Sequence, residues 1–212
     1  MRHSAMGMAL VLAATPALAA VPGAPAGDYV LDKAHASLVL RLSHMGFSNY
    51  TARFSRFDTQ LKFDPANPAA MQVEAQIDAK SLDADGAPAG FMDALKGPQW
   101  LDTAKYPTIT FRSTKVQQTS PTTARVTGDF TLHGVTKPVI LDATFNGGYP
   151  GMQMDPHGRV GFSAHGVLQR SAFGISYGVP PAGSRMGVGD EVSVTIEAEL
   201  IGPPLAKAKP SL

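Results

Sequence analysis

The sequence predicts an all-β fold, with eight antiparallel strands that close into a barrel or stack as a sandwich. Apolar and polar residues alternate through most of the 212-residue chain, and a period of two is the signature of a β-strand. Each run has one apolar and one polar face, as in antiparallel sheets that meet water on one side. Helical spacing is confined to Phe91–Lys96, and Gly97-Pro98 ends that segment.

The strands are identified in chain order from the apolar residues that share a face. The first places Leu38, Leu40 and Leu42 on one face and Val39 and Arg41 on the other. The later runs repeat this arrangement with other aliphatic and aromatic residues. The eight predicted strands span residues 37–44, 57–63, 71–79, 109–111, 124–132, 137–146, 159–170 and 191–200.

Small residues occupy several positions on the predicted apolar faces. They are Gly128, Ala143, Ala164, Gly166 and Ala198. In an eight-stranded barrel the interior is either filled by side chains or holds one small ligand. The small residues therefore leave volume for a ligand, or they fit the taper of a packed barrel. Both interpretations stay open at this point.

The composition excludes several classes of function. The chain has 18 basic and 17 acidic residues. Removal of residues 1–19 would take away one basic residue, Arg2. The remaining chain would then have 17 basic and 17 acidic residues and a net charge of zero. A neutral chain lacks the basic surface that nucleic acids require, so we predict no nucleic-acid partner. The absence of cysteine excludes disulfides, thiolate metal sites and cysteine catalysis.

The N-terminus has the layout of a cleavable secretory signal. Arg2 provides a basic start, residues 5–14 are apolar, and Ala17-Leu18-Ala19 is a small-residue cleavage pattern. The apolar run is shorter than the roughly 20 residues that span a bilayer, so we predict no integral membrane anchor. The expected organisation is a signal peptide (1–19), a flexible lead-in (20–27), one barrel domain (28–201) and a flexible tail (202–212).

Several short motifs follow one another in order over residues 28–201. The longest and most specific is TGDFTLHGVTKP at 127–138. The others are His35, HMGFS at 44–48, FDP at 63–65, KYP at 105–107, ITF at 109–111 and RSAFG at 170–174. Together these motifs resemble the YceI-like family of bacterial periplasmic proteins. One departure is residues 91–100, which replace a stretch that is usually charged in the family.

The resemblance implies a lipocalin-like barrel whose lumen holds a polyisoprenoid or isoprenoid quinone, a periplasmic location and no catalytic activity. The departure at 91–100 is expected to change either the barrel mouth or the surface through which two copies of the chain would form a homodimer. Combined with strand phase, the resemblance predicts that these residues line the lumen: Leu38, Leu40, Leu42, Phe111, Phe130, Leu132, Leu141, Phe162, Ala164, Leu168, Val194 and Ile196. The alternative functions are a ligand-free structural or stress-related interaction protein and, more remotely, a small-molecule enzyme.

Two polar residues continue the inward phase of their strands. His44 follows Leu42, and Arg170 follows Leu168, so each lies at a strand end. We expect them to contact a ligand headgroup at the barrel mouth, or to hydrogen-bond backbone groups at the rim.

The segment from Arg170 to Asp190 is long for a connection without periodicity. Phe173, Ile175 and Tyr177 alternate at its start and predict a lid over the mouth. A plain surface loop is the alternative.

Catalytic and metal motifs are weak. Gly174–Gly178 matches the G-x-S-x-G pattern of serine hydrolases, but Pro180-Pro181 follows where that motif needs a helix. The histidines lack the spacing of a metal site. We therefore predict no catalytic residues, no metal and no cofactor other than a bound lipid.

Overall fold

A computed structural model describes residues 23–205 and shows a closed antiparallel barrel, which confirms the predicted fold class. Its helix, α1 (Phe91–Lys96), matches the predicted segment, and short 3₁₀ turns span Pro68–Ala70, Ala79–Ser81 and Arg170–Phe173. None of the helices in the described residues has the length and apolar content that crossing a bilayer requires. The strands are β1 (Gly27–His44), β2 (Ser48–Phe54), β3 (Phe57–Phe63), β4 (Gln72–Asp78), β5 (Leu82–Asp83), β6 (Thr108–Gln118), β7 (Thr123–Leu132), β8 (Val135–Tyr149), β9 (His157–Gln169) and β10 (Val188–Pro204).

The barrel consists of eight of these strands, and β1 closes it by pairing with both β3 and β10. From β3 the order around the wall is β4, β6, β7, β8, β9 and β10. The barrel has two ends that differ in how they are closed. We call the end with His44 and the β1–β2 turn the hairpin end, and the end with Gly27 and Pro204 the terminal end.

Two strands were not predicted from the sequence. β2 pairs with the second half of β1, and β5 pairs with β2, so together they extend the wall at the hairpin end. β2 has the period-two signal, because Ala52 and Phe54 are buried while their neighbours are exposed. β5 has only two residues, which is too short for any periodicity.

The first strand begins earlier than the alternation predicted. Leu31 pairs with Leu200 but Ala36 pairs with Ala198, so five steps along β1 correspond to two along β10. The extra residues form a bulge that includes Asp32 and interrupts the alternation.

The predicted boundaries of the flexible ends need correction. β10 continues past residue 201 to Pro204, because Pro204 pairs with His157 of β9. Residues 23–27 pack against the barrel: Ala24 is buried, and the Tyr29 hydroxyl donates to the Pro25 carbonyl at 2.7 Å. The predicted signal peptide and the rest of the predicted tail lie outside the described residues.

An aromatic cluster closes the terminal end. The ring of Phe63 lies 5.4 Å from Tyr29, 6.0 Å from Phe145 and 6.4 Å from Phe162, measured between centroids. Tyr29 is 1% exposed. Edge-to-face and offset arrangements of this kind stabilise aromatic pairs beyond the area they bury.

Candidate ligand-binding site

The barrel encloses a cavity of about 670 Å³ between the aromatic cluster and the hairpin end. This volume lies in the range of pockets that hold small organic ligands, about 300–1,000 Å³. Its wall is formed by the inward side chains of the barrel strands, β2 and the segment from Leu82 to Leu101. The barrel is therefore hollow through its middle and packed at its terminal end.

All twelve residues that the sequence predicted for the lumen lie in the wall of this cavity. Strand phase is the reason, since alternate residues of a half-buried strand face the same side. Their contact with a ligand stays a prediction.

Four of the five small residues also line the cavity, namely Ala143, Ala164, Gly166 and Ala198. Gly128 is the exception and matches the packed-barrel alternative, because it does not line the cavity. A Cβ atom there would lie 2.4 Å from Cζ of Phe111, so the Phe111 ring occupies the space above the glycine. Gly128 thus allows a large side chain on the neighbouring strand to pack flat.

The cavity wall is apolar except for a few groups. The lining residues that carry a polar side-chain atom are His44, Ser48, Tyr50, Thr59, Gln72, Trp100 and Arg170. The remaining lining residues are aliphatic, aromatic, glycine or proline. A wall of this composition binds a ligand by removing its apolar surface from water.

Of the two roles expected for Arg170, the structure matches hydrogen bonding to backbone groups and not contact with a ligand headgroup. It is 3% exposed, and its guanidinium donates to the carbonyl oxygens of Gly189, Ile175, Tyr177 and Val188 at 2.8–3.0 Å. Burial lowers the pKa of this guanidinium, and the nearby Asp190 carboxylate opposes that shift. The side chain organises the segment before β10 and has little capacity left for a ligand.

His44 lies at the place where the cavity reaches the surface. His44, Ser48 and Pro88 line the cavity and are also exposed, and all three belong to the hairpin end. Gln72 and Val167 are exposed lining residues at single positions on other strands. The main opening is therefore beside the β1–β2 turn, and His44 has the position expected of a residue at the mouth.

The predicted lid residues close the hairpin end in part. Phe173 and Ile175 are 1% and 3% exposed and pack with Leu38, Ile109 and Leu132. Tyr177 is exposed on one side and meets Trp100 edge-on, with centroids 5.6 Å apart. The segment covers the barrel as a lid would, and its movement stays a prediction.

Sequence reasoning missed the wall residues contributed by β2 and by the segment before β6. These are Ser48, Tyr50, Ala52, Phe54, Leu82, Pro88, Phe91, Leu95, Trp100 and Leu101. The residues from β2 were detectable from their alternation. The others were not, because the turns in this segment show no periodicity and its helix, although predicted, has only six residues and does not reveal which side meets the barrel.

One cluster of potential metal ligands occurs among residues 23–205, and it lies outside the barrel. Asp32, His35 and Glu199 are close enough to share an ion, but the Asp32 carboxylate already accepts from Arg159 and His35. Hydrogen bonds from Arg159 first and His35 second hold the pKa of Asp32 at about 2. We therefore interpret this cluster as an ion-pair network on the outer face of the barrel and not as a metal site.

Comparisons with known proteins give consistent matches. The profile of the YceI-like domain matches residues 29–200. A UPF0312 protein of Vibrio cholerae serotype O1 is 37% identical over 175 residues, which cover 80% of this chain and 89% of that protein. A UPF0312 protein of Pseudomonas syringae pv. tomato is 40% identical over 168 residues, which cover 77% and 84%.

Solved structures share the fold. BcnA of Burkholderia cenocepacia superposes with a TM-score of 0.68 at 25% identity, covering 80% of this chain and 98% of that one. The YceI protein of Campylobacter jejuni gives 0.63 at 25% identity, covering 75% and 88%. A polyisoprenoid binding domain from Saccharophagus degradans gives 0.57 at 11% identity, covering 84% and 100%, and this likeness concerns the fold alone.

Proposed function

The chain belongs to the YceI-like family, and we propose that it binds a long apolar lipid of the isoprenoid type, a polyisoprenoid or an isoprenoid quinone, in the barrel cavity. The observation that carries the proposal is the cavity of about 670 Å³, whose wall is mostly apolar and has only a few polar side chains. The polyisoprenoid binding domain of Saccharophagus degradans has the same fold, which supports the ligand class. The proposed role is that of a carrier or sequestering protein.

The energetics suit a flexible chain without polar groups. Burial of apolar surface contributes roughly 25 cal/mol per Å², or about 0.8 kcal/mol for each CH₂ group. Each five-carbon isoprene unit that enters the cavity therefore contributes about 4 kcal/mol before the ordering cost of the chain. Such binding needs no hydrogen bond along the tail, which matches the wall formed by Leu40, Leu141 and Ile196.

Lipid extraction with native mass spectrometry of the purified protein tests the proposal. We expect a bound species whose mass decreases by regular isoprenoid units on fragmentation, or uptake of such a lipid after its addition. A protein that carries no lipid and takes none up would favour the alternative of a ligand-free interaction protein. The same spectra give the oligomeric state and so test whether the chain forms a homodimer.

We further propose export to the periplasm with cleavage after Ala19. The basic start at Arg2 and the Ala17-Leu18-Ala19 pattern support it. N-terminal sequencing of the protein from a periplasmic fraction should find Ala20 first. Recovery of Met1 in that fraction would contradict the proposal.

A further inference from the structure

Tyr50 lies in the cavity wall at the hairpin end. It is on β2, opposite Leu42 of β1, and both side chains line the cavity. Its ring meets Phe91 of α1 edge-on, with centroids 5.8 Å apart. The side chain is therefore held between the barrel wall and the helix.

The Tyr50 hydroxyl is the one buried side-chain nitrogen or oxygen within residues 23–205 that has no hydrogen-bond partner. Buried polar groups in proteins are nearly always paired, because an unpaired one loses its hydrogen bonds to water without replacement. Phenylalanine would fill the same space without this cost. The unpaired hydroxyl thus destabilises the folded protein, and a hydrogen bond to a polar group of a ligand would offset this loss.

Polar lining groups gather around Tyr50. Ser48 is two residues away on the same strand face, and His44 pairs with Ser48 across the β1–β2 hairpin. The rest of the wall consists of apolar residues such as Phe111, Val126 and Phe162, apart from Thr59 on β3 and Gln72 at the start of β4. The hairpin end therefore has the group of neighbouring polar side chains that suits a headgroup, and the mostly apolar remainder suits a tail.

We propose that the Tyr50 hydroxyl binds the neutral oxygen of the ligand headgroup, a carbonyl or hydroxyl oxygen, with the tail directed towards Phe111 and Phe162. The inference rests on the proposed function and adds the orientation of the lipid and the class of its headgroup. The hydroxyl is shielded by its neighbours, so the headgroup reaches it by displacing side chains such as Phe91 as it enters.

Charge at this end favours a neutral headgroup over a phosphorylated one. An ionised phosphate in an apolar cavity requires a cation or several hydrogen-bond donors. The nearby Arg170 guanidinium already donates to four backbone carbonyls. His44 is exposed at the mouth, where a phosphate would remain in water instead of reaching Tyr50.

The test compares Tyr50→Phe with the wild-type protein, after lipid removal, in binding four probes with 20-carbon tails: menaquinone-4, geranylgeraniol, geranylgeranyl phosphate and the hydrocarbon phytane. Loss of one hydrogen bond should weaken menaquinone-4 and geranylgeraniol binding about three- to tenfold. Phytane binding should not change. Tyr106→Phe is the matched control, because it removes a hydroxyl outside the cavity wall.

Thermal unfolding of Tyr50→Phe should show no loss of stability, since the hydroxyl has no partner in the protein. Equal binding of menaquinone-4 by Tyr50→Phe and wild type would overturn the headgroup contact while leaving the lipid-binding function intact. Tighter wild-type binding of geranylgeranyl phosphate than of geranylgeraniol would overturn the neutral headgroup. Failure of the wild type to bind any of the four probes would overturn the proposed function itself.

Discussion

The guanidinium of Arg170 lies over the indole ring of Trp100, with its Cζ atom 4.9 Å from the ring centroid. A cation in this position is attracted by the ring face. Trp100 also contacts Tyr177, so the segment before β6 and the segment before β10 are joined at the hairpin end. The two segments that close the cavity at the hairpin end are therefore connected through Trp100, which contacts both Arg170 and Tyr177.

We expect Arg170→Met to lower the free energy of unfolding by about 3 kcal/mol, because one buried and three partly buried carbonyl oxygens lose their donor and the aromatic contact is lost. Urea denaturation measures the change. Arg185→Met removes an exposed arginine from the same segment and is the control. Equal stability of the two variants would show that the Arg170 hydrogen bonds contribute little.

Hydrogen exchange should reveal whether the segment from Phe173 to Gly189 moves with the ligand. The amide of Ile175 donates to Arg170 and that of Val188 donates to Gly178, so these positions report on local opening. We expect slower exchange when lipid fills the cavity, because Ile175 lines it. Equal exchange rates with and without lipid would show that the segment is a static loop and not a lid.

Filling the cavity should reduce lipid uptake without unfolding the barrel. Ala164 faces the cavity from β9, and Ala164→Leu adds three carbon atoms there. We expect at least a fivefold loss of affinity for a 20-carbon isoprenoid, since overpacking of this size costs about 1–3 kcal/mol. His165→Leu places the same side chain on the exposed outer face and should bind normally. Lipid titration followed by fluorescence or calorimetry provides the comparison.

The aromatic cluster at the terminal end should tolerate no added atom at Gly202. A Cβ there would lie 2.2 Å from a ring carbon of Tyr29. We expect Gly202→Ala to reduce stability by about 2 kcal/mol through overpacking. A Cβ added at Gly161 would have its nearest neighbouring atom 3.8 Å away, so Gly161→Ala should be nearly neutral. Comparable melting temperatures for the two variants would mean that Tyr29 shifts without cost.

The ion-pair network on the outer face predicts a specific pH dependence. In the folded protein the pKa of Asp32 is about 2, below its usual 3.8, chiefly because of the Arg159 hydrogen bond. The carboxylate therefore stabilises the fold above about pH 4, and this contribution is lost as the pH falls through 2.

Asp32→Asn should consequently be less stable than wild type at pH 6, and the difference should decrease as the pH falls and vanish below pH 2. Asp58→Asn interrupts the more exposed pair with Lys33 and should show a smaller difference. Chemical denaturation across this pH range measures both. A difference for Asp32→Asn that is independent of pH would rule out the ion pair as its source.

The wall of the cavity was predictable because its signal is local. Leu38, Phe130 and Val194 face inward as a consequence of strand phase, and strand phase is visible in the order of residues along the chain. The helix Phe91–Lys96 was predictable for a similar reason, since Gly97-Pro98 marks its end.

The sequence by itself therefore determined the strand pattern, the fold class and the direction in which alternate residues of the regular strands face. The tertiary structure decided how that interior is divided, because the division depends on contacts between distant residues. The Phe111 ring packs over Gly128, Phe63 stacks on Phe145, and Arg170 donates to four backbone carbonyls that lie up to 19 residues away. Strand phase sets the direction of a side chain, but the packing of all the strands together decides whether that side chain meets a ring, a carbonyl or an open cavity.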